Sequence, residues 1–188
     1  MSEGTWFEIT EGPALLQGDI LLRCPVFVVP RELPWPLPPD TDVGVRVRLF
    51  HLVVMTQSCD LANDKVEDVL LAQLISWPEA VAAASAKGNT SIRSREFRKK
   101  LIEGTVPGLS LLHTYEGSPR LDWSVVEFHR LFTLPKTFLS QFAATTSPRL
   151  RLRSPYREHL AQAFARFFMR VGLPHDARDF EKEGDVKM

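Results

Sequence analysis

Val45-Arg46-Val47-Arg48-Leu49-Phe50-His51-Leu52-Val53-Val54-Met55 alternates apolar and basic residues and then turns apolar throughout. A period of two marks a strand, because successive side chains leave opposite faces of the backbone. The stretch predicts one strand that starts exposed on one face and ends buried on both. Thr56-Gln57-Ser58-Cys59-Asp60 closes it with small and polar residues, and Leu61 to Lys65 is turn material. Val66 to Ile75 then predicts a strand near enough to pair antiparallel with the first. Upstream, Asp19 to Val29 is apolar and β-branched behind Gly18, a further strand in which Pro25 marks an edge or a bulge. These three segments predict a β-meander over residues 19–76. Pro30, Pro34, Pro36, Pro38 and Pro39 make the intervening segment a polyproline-like loop, with Trp35 folded back or held out as a contact.

The rest of the chain reads as helices and a hairpin. Glu79 to Ala86 is alanine-rich behind Pro78, and Ile92 to Glu103 follows an N-cap offered by Asn89-Thr90-Ser91 and stops at Gly104. Leu109 to Tyr115 and Leu121 to Leu134 are strands joined by Glu116-Gly117-Ser118-Pro119. Pro135 to Ala143 is a short helix, and Arg149 to Arg153 alternates strictly. From Pro155 to Val171, Leu160, Phe164, Phe167, Phe168 and Val171 recur at helical spacing, with Gly172 and Pro174 as the stop. The pattern predicts an α+β protein: one domain over 1–174, a barrel-like core over about 15–134, a C-terminal amphipathic helix and a flexible tail over 175–188.

A length of 188 residues, 44% hydrophobic and 24% charged, is that of an ordinary globular chain. It excludes disordered, collagen-like and coiled-coil classes. No run of 18 apolar residues calls for a membrane span, and the first residues lack a basic stretch before an apolar one, so a cytoplasmic protein is expected. Cys24 and Cys59 are expected as reduced thiols. The net charge of zero hides a split: residues 1–80 hold 5 basic and 12 acidic side chains, and residues 81–175 hold 15 and 6. Either the two parts neutralise each other across the fold, or a basic face meets a polyanion or an acidic protein.

Three constellations bear on function. Thr56, Ser58, Cys59 and Asp60 stand where a buried strand meets a loop, a place that fixes side chains and exposes them. Cys59 needs a cation or a histidine to become a thiolate, with His51, His113 and His129 as spatial candidates, while Asp60 opposes it. The plainer reading has Cys59 packed, Asp60 capping and the hydroxyls bonded to backbone. The second constellation is basic: Arg93, Arg95, Arg98, Lys99 and Lys100, then Arg149, Arg151, Arg153 and Arg157. Convergent guanidiniums suit RNA phosphates or an acidic partner, whereas a solvated charged face is the ordinary alternative. The third is a metal set from Cys24, Cys59 and histidine, for which the sequence has no CxxC, HxxxH or HExxH spacing. Phosphate-loop and nucleophile-elbow motifs are absent, and neither metal nor cofactor is expected.

Leu16-Gln17-Gly18-Asp19-Ile20, the stretch from Arg48 to Thr56, and Asn63-Asp64-Lys65 to Gln73 together resemble the start of the first strand, the arginine-led strand and the Asn-Lys turn of the MazF/PemK toxins. The resemblance covers about a third of the chain. Leu49 stands where that family has proline after the arginine, and the spacing from Arg48 to Thr56 is longer. What the resemblance implies is an SH3-like barrel with packed helices, a dimer, and cleavage of single-stranded RNA with Arg48 and Ser76 in the catalytic positions. With its eroded match and its long extension, the chain is expected to be a non-catalytic, toxin-like interaction module of a bacterial stress-response or anti-phage defence system, with a protein partner. A ribonuclease using Arg48 and the Thr56–Asp60 loop is the alternative.

Overall fold

The computed structural model describes residues 5–30, 32, 36–37, 39–40 and 42–169. Trp35, Val171, the Gly172–Pro174 stop and the tail lie outside the described residues. The chain is a mixed α+β fold with strands β1 (Phe7–Thr10), β2 (Ile20–Val28), β3 (Arg46–Val54), β4 (Asp68–Ser76), β5 (Leu109–Leu112), β6 (Ser124–Pro135) and β7 (Arg149–Leu152). Its helices are α1 (Ser58–Ala62), α2 (Trp77–Ala86), α3 (Arg95–Ile102), α4 (Lys136–Thr145) and α5 (Tyr156–Phe168).

The predicted meander forms. β2, β3 and β4 are antiparallel neighbours in a five-stranded sheet of order β2-β3-β4-β6-β5. The closed barrel does not form. β1 and β7 make a separate two-stranded ribbon, joined to β2 through the lone bridge Asp19–Arg151 and the Leu152 N–H donated to the Gly18 carbonyl. Gly18 is needed there: its φ is +86°, and an added Cβ would meet Leu152 Cβ at 2.9 Å. Pro25 sits on an edge strand just past a bulge. The register slips between Leu21 and Cys24, and Arg23 takes φ +54°.

Each face of the sheet carries its own cover. On one side, Ile20, Val53, Leu74, Val126 and Phe128 pack against Phe7, Leu150, Leu152 and Leu160 of the ribbon and α5. On the other, Val26, Leu52, Val54 and Leu71 pack under Leu61 of α1 and Leu139 and Ala143 of α4. Further along that side, Val125 meets Ala80 of α2 and Leu101 of α3, with Ile92 between them. The C-terminal helix buries Leu160, and Phe164 and Phe167 reach Phe128 at ring distances of 5.3 and 5.9 Å. Phe168 departs from the predicted stripe: it is 58% exposed. The cap of α3 also differs from expectation. A 3-10 turn, Ser91–Arg93, intervenes, and Ser94 caps the helix by accepting the Phe97 N–H.

Candidate functional site

The Thr56–Asp60 corner is spent on structure. Thr56 Oγ1 accepts the Leu70 N–H at 2.7 Å, which ties the end of β3 to β4. Ser58 Oγ accepts the Gln17 N–H at 3.2 Å, and the Gln17 amide donates to the Met55 carbonyl at 2.9 Å. The Asp60 carboxylate lies 4.0 Å from Lys65 Nζ. Cys59 is exposed, and its thiol donates toward Gln57 Oε1 at 3.6 Å and Asp60 Oδ1 at 3.7 Å. None of the three histidines reaches it. His51 Nδ1 accepts the Arg23 N–H, His113 lies tilted against Trp123, and His129 lies against Phe167. Cys24 is inert, its thiol pushed up to about 12 by burial.

Ser76, the hydroxyl that the resemblance assigns to catalysis, caps α2. It accepts the Glu79 N–H and donates to the Glu79 carboxylate in a reciprocal box. Those bonds, first the side-chain one, hold Glu79 below the usual carboxylate range.

The alternating arginines of β7 do not present a free basic face. Asp19 is fully buried and takes Nε of Arg149 at 3.0 Å and a terminal nitrogen of Arg151 at 3.0 Å, with Arg151 Nε on its other oxygen. Arg149, 2% exposed, spends its remaining donors on the Gly12 and Ala14 carbonyls. Arg153 is exposed, and Arg157 is paired with Glu158. Sequence reasoning missed this triad, although the Gly-Asp-Ile start and the strict Arg alternation both pointed to its members. It also joins the acidic and basic parts of the chain, as does Lys136 on Asp64. On α3 and the turn before it, Arg93, Arg95 and Arg98 are exposed, while Lys99 and Lys100 pair with Glu103 and Glu96 of the same helix.

The arrangement that offers most lies on β2 and β3. Register pairs Phe27 with Val47 and Pro25 with Leu49 on one face, and Val26 with Arg48 and Val28 with Arg46 on the other. Both faces are open at this end, so the strand starts exposed twice over. On the first face Phe27, Val47 and Leu49 are joined by Val29 and Val45 just beyond the strand ends, each more than half exposed, Val47 at 57%. On the second, Arg46, Arg48 and Arg130 line a cleft of about 680 Å3 with Phe50, Phe132 and Val28. The Phe50 and Phe132 rings lie 5.1 Å apart. Glu32 is the one carboxylate among the described lining residues, and among the described residues the three arginines make no ion pair. On this same sheet face Gln73 Oε1 is buried without a hydrogen-bond partner.

Among the described residues, no group of three His, Cys, Asp or Glu side chains converges as a metal site, and no helix is long and apolar enough to cross a membrane. No protein-family model matches the sequence, and no curated protein does.

Proposed function

We propose that this protein is a non-catalytic interaction module whose contact element is the β2–β3 arm. The observation that carries the reading is the uncovered apolar face made by Phe27, Val29, Val45, Val47 and Leu49. Five such side chains expose on the order of 400 Å2, the size at which an apolar patch marks an interface rather than ordinary surface. The five side chains are uncharged and stand on paired strands, so the face suits a second copy of itself turned about a two-fold axis. Two copies with their rims would bury on the order of 1,000 Å2, the threshold of a specific interface. Chemistry of the toxin kind finds little support here. It needs a free hydroxyl or base beside the arginine that meets the phosphorane, and the hydroxyls of Thr56, Ser58 and Ser76 are engaged with backbone or with Glu79. The setting in stress response or phage defence rests on the resemblance of residues 15–76.

Incubation of pure protein with single-stranded RNA tests this. We expect no cleavage beyond that of a mock preparation. Robust cleavage that Arg48→Ala abolishes would overturn the reading. It would favour the second one, a ribonuclease, which draws support from the arginine cleft: three guanidiniums over two phenylalanine rings suit phosphates and unstacked bases. In that case binding to single-stranded RNA falls with salt at a log–log slope of about −2, roughly 0.7 per arginine.

A further inference from the structure

We infer a second contact site at the far edge of the sheet, a groove that receives an extended acidic–apolar peptide as an added strand on β5. It does not rest on the β2–β3 arm, which lies at the opposite edge. Among the described residues β5 has a strand partner on one side only, β6. Its other side opens into a groove of about 650 Å3 between α3 and α5, with Ser110, Leu111 and Leu112 as the floor. An exposed edge lined by packed helices is the geometry of strand addition: main-chain bonds hold the peptide, and alternate side chains enter alternate pockets.

The two walls differ in chemistry, and they differ with the strand's own period. Leu111 faces α2 and α3, where Trp77, Leu101, Ile102 and Trp123 surround an apolar notch of about 280 Å3 with Arg98 at its rim. Leu112 faces α5, where His113, His159, Gln162 and Arg166 line the wall beside a Trp6–Tyr156 stack at 4.2 Å. Ile102 is 74% exposed, large and apolar at a helix end. Arg98 and Arg166 make no ion pair among the described residues, and Glu103, which also lines the groove, lies 3.8 Å from Lys99. On the α5 side Arg166 therefore has room for a carboxylate, and on the α3 side the apolar notch has room for an aliphatic side chain. A strand alternating an aliphatic residue with a carboxylate supplies both, each on its own wall.

The test uses the full chain and three capped probes. The first is a six-residue peptide alternating leucine and aspartate. The second is the same peptide N-methylated at alternate amides, and the third is a scrambled one. Backbone amide NMR shifts read the site. The first peptide is expected to shift the amides of Leu109 to Leu112 in a saturable way. N-methylation, which removes strand pairing but keeps the composition, is expected to abolish the effect. Ile102→Asp and Arg166→Glu, both at exposed positions, are each expected to weaken binding about tenfold, while Arg46→Ala with Arg48→Ala leaves it unchanged. Equal binding by the N-methylated or scrambled peptide overturns the proposal, as does the absence of shifts at β5. Self-association that Ile102→Asp abolishes also overturns it, because the occupant would then be a second copy.

Discussion

Replacing Asp19 by asparagine keeps the shape of the Asp19–Arg149–Arg151 triad and removes its negative charge. In the structure that carboxylate is fully buried, takes two guanidiniums and accepts the Leu16 N–H at 3.3 Å. Arg149 cannot turn to solvent, because its other donors are pinned on the Gly12 and Ala14 carbonyls. The variant therefore leaves one buried guanidinium and one largely buried one with no counter-charge. Breaking a buried pair in this way costs about 3–5 kcal/mol, a large share of a total stability of about 5–15 kcal/mol. With a urea slope near 2 kcal/mol per molar, the unfolding midpoint falls by about 2 M. The assay is urea unfolding followed by far-UV circular dichroism and tryptophan fluorescence. The triple change Asp19→Leu, Arg149→Met, Arg151→Leu removes all three charges together and is expected to recover most of the loss. A loss under about 1 kcal/mol for Asp19→Asn would refute the claim that this triad fastens the β1–β7 ribbon to the sheet.

Three further outcomes follow from the site geometry. Ser76→Ala removes the α2 cap and costs about 1 kcal/mol in the same unfolding assay. Because Glu79 is held below its ordinary value of 4.5, the cap's electrostatic share is present at neutral pH and is lost as pH falls through the lowered value, so wild type and Ser76→Ala converge in acid. A maleimide probe labels exposed Cys59 in folded protein and reaches Cys24 only on unfolding, and mass spectrometry of tryptic peptides separates the two. Thr56→Val leaves the Leu70 N–H unpaired and costs about 1–2 kcal/mol, with no change in RNA binding, because Thr56 serves the backbone.

Local pattern revealed most strands and helices, but it missed β1 and read Ser58–Ala62, the helix α1, as strand end and turn, and long-range pairing escaped it. β2, β3 and β4 were legible because alternation and turn residues act over a few positions, and the α5 stripe was legible for the same reason. β1 is four residues that find their partner in β7 some 140 positions later, and nothing in Phe7-Glu8-Ile9-Thr10 marks that partner. The barrel failed to close for a related cause: order along the chain does not say which edges meet. Alternation in Val45 to Leu49 tells which residues share a face but not whether anything covers it, so a strand expected to start exposed on one face starts exposed on both. Ser76 shows the same limit at the site. A serine ahead of Trp-Pro-Glu fits a capping box as well as a nucleophile, and only the bond to Glu79 separates the two. Arg149 and Arg151 look identical to Arg153 in sequence, and a single buried aspartate from the other half of the chain sets them apart.

The account stands most directly on the arm. Sedimentation velocity over the micromolar range, on wild type and on the double variant Val47→Asp, Leu49→Asp, weighs it. Both side chains are more than half exposed, so the variant keeps its fold by circular dichroism. The account predicts a wild type that self-associates as concentration rises and a variant that stays monomeric. Identical monomers from both proteins, or a dimer that survives the two aspartates, would contradict it.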